Sequence, residues 1–146
     1  PELENIMSET TFRLEIVTPS RQLVSEGVEE VTAPGIQGEF GVLVGHTPYL
    51  VEIGIGELMY RVGNEKRHLA VRRGFAEVTR DKVTILAEEA EFPAEIDLAT
   101  AEKLLAEAEE EMKALSVSGE SKEYLEAQAK IDRALNQVAV ARKHKS

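Results

Sequence analysis

The sequence contains no cysteine and no tryptophan, and aromatic residues make up only 5% of its 146 residues. Without cysteine, the chain can form no disulfide, no cysteine-ligated zinc site and no thiol nucleophile. It also lacks a run of the roughly 20 apolar residues that a membrane-spanning helix needs. Residues 1–11 are polar and acidic, without the apolar segment of a secretory signal. We therefore expect a soluble, intracellular protein, which can still work beside a membrane.

Basic residues are also scarce compared with acidic ones. There are 17 lysines and arginines against 27 aspartates and glutamates, which gives a formal net charge of -10. Nucleic-acid binding relies on basic surface that displaces phosphate counterions, so this charge balance argues against it. Hydrophobic residues make up 42% of the chain, enough for one sizeable core.

Glycine divides the chain into two parts, because nine of the ten glycines lie between Gly27 and Gly74. Before residue 92 the apolar residues come in short runs, and in the first run Phe12, Leu14 and Ile16 alternate with polar residues as in a half-buried strand. Further short runs lie at 22–26, 28–33, 40–44, 58–62, 69–71, 75–79 and 83–86. This close spacing predicts an antiparallel β-sandwich or flattened barrel.

After residue 92 the apolar period changes to that of a helix. Two stripes recur at spacings of three and four residues: Leu98, Ala101, Leu105, Ala108, Met112 and Leu115, then Tyr124, Ala127, Ile131, Ala134, Val138 and Ala141. Asp97 is a suitable N-cap for the first helix, and the polar stretch 116–121 ends it. We expect an antiparallel helical hairpin whose alanine-rich seam holds it weakly.

The organisation predicted is thus α+β with two domains. Residues 1–9 are expected to be a disordered start, with Met7 as the native first residue and 1–6 derived from an expression vector. Residues 10–92 form the β-domain, and residues 93–146 form the helical hairpin.

Motifs for catalysis are sparse. Gly35, Gly38 and Gly41 are spaced as in a phosphate-binding loop, but no helix follows them. The three histidines are too scattered for a metal pair, so we predict no metal site. His46 lies in a Gly-His-Thr-Pro loop where it could act as a base, yet no nucleophile and orienting acid accompany it. An enzyme that uses His46 remains an alternative interpretation.

Residues 38–43 (GEFGVL) and 45–48 (GHTP) resemble the signature of the epsilon subunit of the bacterial and chloroplast F-type ATP synthase. Further similarity lies at 17–19, 74–78, 83–87 and 96–97, so that it spans residues 11–143. The resemblance implies a sandwich of about ten strands followed by a helical hairpin. It also implies a non-catalytic rotor subunit of the central stalk, peripheral on the cytoplasmic face of the bacterial cell membrane.

The same resemblance implies specific contacts in the sandwich. Gln37, Glu39 and Phe40 are expected to face the ring of c subunits, where Glu39 would meet basic loop residues. His46, Thr47 and Tyr49 are expected to lie near the gamma subunit. A position in the hydrophobic core is the alternative for Phe40.

In that family the hairpin is a switch that packs down or extends along gamma and inhibits ATP hydrolysis. The basic residues of the last helix then face an acidic segment of the catalytic beta subunit. Here that role would fall to Arg133, Arg142, Lys143 and Lys145.

Some members bind ATP through an I/L-D-x-x-R-A motif and further arginines. This chain retains Glu91, Ile96, Asp97, Ala101 and Arg133 at the matching positions. Three arginine positions instead carry Thr100, Glu107 and Gln137. We therefore predict weak or absent ATP binding and no cofactor, because a carboxylate repels the triphosphate. A free-standing module that senses nucleotide through its hairpin is the alternative function.

Overall fold

The computed structural model describes residues 10–115 and 121–144. The expected disordered start at 1–9 and most of the polar break at 116–121 lie outside these residues. The chain forms two compact units that divide between Glu91 and Phe92. In the described part of the chain, neither helix combines the length and apolar character needed to cross a bilayer.

The first unit is built from seven strands in one sheet, in the order β2-β1-β7-β6-β5-β3-β4. They are β1 (Phe12–Val17), β2 (Gln22–Val28), β3 (Glu30–Gly35), β4 (Gly38–Leu43), β5 (Tyr49–Val62), β6 (Glu65–Val78) and β7 (Lys82–Glu91). Neighbouring strands are antiparallel except β1 and β7, which run parallel with Leu14 opposite Val83. The sequence-based prediction of a β-domain is confirmed.

Seven strands replace the ten or so that the resemblance implied, because β5 and β6 are each 14 residues long. Gly54 and the Arg73-Gly74 pair lie inside these two strands, although glycine between short apolar runs usually indicates a turn. The ladder continues past them, with Ile53 opposite Gly74 and Ile55 opposite Arg72. At these two places glycine therefore marks a local irregularity rather than a strand end.

The sheet folds back on itself, so that strands far apart in its order approach one another. The Arg67 guanidinium on β6 donates a hydrogen bond to the Glu26 carboxylate on β2 at 3.0 Å, although β1 and β7 lie between these strands in the sheet. Arg67 also lies over the Tyr60 ring, 6.0 Å from its centroid. The alternating residues predicted to face inward, Leu14 and Ile16 among them, are fully buried. Their burial supplies most of the driving force for this unit.

The second unit begins with a short 3-10 turn, Pro93–Glu95, followed by α1 (Leu98–Ala114) and α2 (Lys122–His144). Asp97 caps α1 as predicted, since its carboxylate accepts a hydrogen bond from the Thr100 amide at 3.1 Å. Ser121 caps α2 in the same way, through the Tyr124 amide at 3.1 Å.

The two helices run antiparallel along a seam of small residues. Glu111, late in α1, pairs with Lys130, while Glu102, early in α1, pairs with Arg142 near the end of α2. The buried seam contains the predicted alanines: Ala101, Ala108, Ala127, Ala134 and Ala141. Alanine lets the backbones approach closely but buries little apolar area for each residue.

Candidate functional site

The hairpin of β3 and β4 and the segment after it present a cluster of surface residues. Gln37 and Glu39 are exposed at and beside the turn, and Gly38 has a φ of 127°, which favours glycine. Phe40 is half-buried, and its ring meets the ring of Tyr49 edge to face with centroids 6.3 Å apart. The structure thus brings together two aromatic residues that the sequence had placed in different contacts.

His46 lies in the connection between β4 and β5 and packs edge-on against Phe12, with ring centroids 5.2 Å apart. Both of its ring nitrogens are buried and have no hydrogen-bond partner in another described residue. Burial lowers the pKa of His46, while its own backbone and the charge of Asp81 oppose this shift. The neighbouring Thr47 and Tyr49 are exposed, so they offer more contact surface than the imidazole does.

A second surface, which the sequence reasoning missed, lies on the outer side of β1, β7 and β6. Leu86 is the cross-strand partner of both Val17 and Phe75, and Leu86 and Phe75 are about half exposed at 53% and 49%. We call Val17, Phe75, Leu86 and Leu50 the outer apolar face; Leu50, on β5, is 67% exposed. Apolar side chains standing side by side and exposed are typical of a protein interaction site.

A shallow groove of about 450 Å³ runs along this face. Its lining includes Pro19 and the neighbouring Thr18, together with Phe75 and Leu86, and Arg73 and Glu88 stand at its polar side. One feature of the sequence could have indicated the groove. In the alternation of a strand, Phe75 lies on the same face as the exposed Glu77, and Leu86 lies on the same face as the exposed Glu88. Only the strand register shows that they are neighbours.

In the second unit, the expected basic contact residues differ in their surroundings. Arg142 donates a hydrogen bond to the Glu102 carboxylate at 2.8 Å, and Lys143 is exposed. Arg133 is half-buried in a cleft of about 190 Å³ between the helices, where Glu107 and Glu111 also lie. Lys145 lies outside the described residues.

The positions matched to an ATP motif serve local structure in this chain. Ile96 and Ala101 are buried, and the Asp97 carboxylate holds the start of α1. Gln137 is buried in α2, and Glu91 is the last residue of β7 in the first unit. The cleft beside Arg133 is lined by two carboxylates, Glu107 and Glu111, and by a second cation, Lys130, which is paired with Glu111. The carboxylate of Glu107 repels a polyanion at a position where the ATP-binding motif has an arginine.

Comparison with known proteins identifies both units. The family described as "ATP synthase, Delta/Epsilon chain, beta-sandwich domain" matches residues 11–93, and the "long alpha-helix domain" of the same chain matches residues 94–142. The chain belongs to the ATP synthase delta/epsilon chain family. The resemblance read from residues 38–48 is confirmed.

Curated members of the delta/epsilon family are similar over almost their whole length. The "ATP synthase epsilon chain" of Geobacter metallireducens is 47% identical over 132 residues, which are 90% of this chain and 94% of the relative. The "ATP synthase epsilon chain 2" of Syntrophotalea carbinolica is 45% identical over 130 residues, 89% of this chain and 93% of the relative.

Two solved structures share the fold. A chain in the Euglena gracilis mitochondrial ATP synthase (OSCP/F1/c-ring, rotational state 1) superposes with a TM-score of 0.77 at 24% identity, over 89% of this chain and 81% of that one. A chain in the central stalk and c-ring of the Tetrahymena thermophila mitochondrial ATP synthase gives a TM-score of 0.54 at 13% identity, over 92% and 96% of the two chains. At these identities the likeness establishes architecture only.

The presence of Glu107 in this cleft leads to a prediction about nucleotide. Titration of the full chain with Mg-ATP in a calorimeter should show no saturable binding in the low micromolar range, because Glu107 replaces a cationic contact. The triple variant Thr100→Arg, Glu107→Arg, Gln137→Arg should bind ATP more tightly, since it supplies three guanidinium groups. Low-micromolar binding by the unmodified chain would contradict this interpretation.

The buried imidazole predicts a pH dependence. Because the pKa of His46 is lowered by folding, the unfolded chain binds more protons when the pH falls through the ordinary histidine value of about 6.5. The free energy of unfolding should therefore decrease as the pH is lowered from that value toward the folded pKa. In His46→Gln this decrease should be smaller, as measured by urea unfolding at several pH values. Identical pH profiles for the two proteins would show that His46 does not contribute.

Proposed function

We propose that this chain is a rotor subunit in the central stalk of a proton-translocating F-type ATP synthase. It couples rotation of gamma and the c ring to ATP synthesis, and its C-terminal helices inhibit ATP hydrolysis. The observation that carries the proposal is the family match, which extends from residue 11 to residue 142 and includes both the β-domain and the helical domain.

The β-sandwich is the domain that binds the other rotor subunits. Its outer apolar face exposes Phe75, Leu86 and Leu50. Because Phe75 and Leu86 are already about half buried, covering each of them contributes about half of the roughly 1.5–3 kcal/mol that full burial gives. We assign this face, together with Thr47 and Tyr49, to the gamma subunit. A dry apolar centre bordered by polar residues is the usual composition of a stable protein interface.

The turn between β3 and β4 is assigned to the c ring. Gln37 and Glu39 are exposed there, and Phe40 stands behind them against Tyr49. A carboxylate at the edge of a contact fixes register and speeds association more than it adds affinity. Glu39 would thus orient the sandwich on basic loop residues, while Phe40 and Tyr49 join this contact to the one with gamma.

The helical hairpin is the regulatory part. Its ion pairs, Glu102 with Arg142 and Glu111 with Lys130, are largely exposed, and exposed pairs contribute about 0–1 kcal/mol each. Because the seam consists mainly of alanines, each buried residue also adds little to the free energy that keeps the two helices packed. An acidic segment of the catalytic beta subunit can therefore compete for Arg133, Arg142, Lys143 and Lys145 and shift the population of the extended state.

We propose no catalytic role for the chain itself. His46 packs against Phe12 with buried nitrogens, an arrangement that suits packing better than proton transfer. The protein would act at the cytoplasmic face of a bacterial membrane, held there by its partners in the complex.

The proposal is tested by separating the two units. The full chain should co-purify with gamma and inhibit ATP hydrolysis by the assembled catalytic head. A chain truncated after Glu95 should still co-purify, because the sandwich forms a compact unit, but it should no longer inhibit. Phe75→Glu should weaken association with gamma by placing a charge in the apolar contact, whereas Lys66→Glu, an exposed change on the same strand, should not.

Failure of the full chain to associate with gamma would overturn the rotor assignment. If the truncated chain inhibited hydrolysis as strongly as the full chain, the regulatory role of the helices would be wrong.

A further inference from the structure

Arg73 has a backbone conformation that its residue type disfavours. Its φ is 51°, in the left-handed region, and it is the single non-glycine residue with a positive φ among those the structure describes. The next residue must be glycine, since a Cβ on Gly74 would lie 1.8 Å from the carbonyl oxygen of Leu86. A glycine at 73 would make the same bend with less strain. Because the backbone at this position favours glycine, we attribute the presence of arginine to a role of its side chain.

The Arg73 side chain is exposed and has no hydrogen bond or ion pair with any described residue. By contrast, Arg61 and Arg67 in the same unit each contact two carboxylates. The nearby Glu88 forms an ion pair with a different arginine, since its carboxylate oxygen lies 3.7 Å from the guanidinium of Arg72. Arg73 thus keeps its full donor capacity.

Arg73 lies where a bound protein could use its free hydrogen-bond donors. Arg73 lines the same shallow groove as Phe75 and Leu86, so it lies beside an exposed apolar surface. Arginine is one of the residues most enriched among the strong contacts of protein interfaces, and its planar fork binds carboxylates through two parallel hydrogen bonds. A polypeptide that fills the groove brings its own charged groups close to this fork.

We propose that Arg73 is a specificity-determining contact that binds an aspartate or glutamate carboxylate of the polypeptide docked in this groove. The inference rests on the proposed function only in naming that polypeptide as the gamma subunit. The apolar surface of the groove would exclude water from one side of this ion pair, which strengthens it.

The test compares binding of the full chain to purified gamma at about 0.05 M and about 0.3 M NaCl. Arg73→Gly should raise the Kd about tenfold at low salt and by less at high salt, because an ion pair is lost. Its Tm should equal or exceed that of the parent chain, since glycine accepts the left-handed backbone, so the weaker binding is not unfolding. Arg73→Lys should give an intermediate Kd, because lysine keeps the charge but not the fork.

The matched control is Arg80→Gly, which removes an exposed arginine that is also without a described partner and lies outside the groove. Its Kd should stay within about twofold of the parent value. If Arg73→Gly also bound within twofold at low salt while Phe75→Glu did not bind, the role of Arg73 would be refuted and the docking surface retained. If the parent chain itself did not bind gamma, both proposals would fall.

Discussion

The long pairing of β5 with β6 is the constraint on which the first unit depends. These strands are paired along their whole length, from Tyr49 opposite Val78 to Val62 opposite Glu65. β3 and β4 attach to β5, and β7, β1 and β2 attach to β6. One ladder therefore holds both surfaces in fixed relation: the turn with Gln37 and Glu39 on one side, and the groove with Phe75 and Leu86 on the other. A body that transmits torque between partners needs this property.

The two units are stabilised in different ways. In the sandwich, large side chains such as Ile53, Leu58 and Tyr60 are fully buried, so its stability comes from apolar area. In the hairpin the buried residues are mostly alanines, and the ion pairs between the helices are exposed, so both contribute little. A rigid body and a weakly held pair of helices are what coupling and regulation respectively require. The same Arg142 that pairs with Glu102 is also a proposed contact to another subunit, so the two contacts compete.

Much of this architecture could be predicted from sequence, because it depends on local patterns. The alternation of Phe12, Leu14 and Ile16 identified a buried strand face, and Asp97 was recognised as the cap of α1. Features that depend on long-range register could not be predicted. The contact of Phe40 with Tyr49 and the row formed by Val17, Leu86 and Phe75 arise from pairing between strands distant in sequence. A glycine such as Gly74 between short apolar runs usually indicates a turn, but the surrounding ladder keeps Arg73 and Gly74 inside β6 as a strained bend.

Because the chain has no cysteine, its rotation with gamma can be tested directly. Asn64→Cys places one thiol at the exposed turn between β5 and β6, where a fluorophore can be attached before assembly. With the catalytic head immobilised and ATP supplied, single-molecule polarisation should show the probe revolving in step with gamma. A probe that stayed fixed relative to the catalytic head while gamma turned would show that this chain is not part of the rotor.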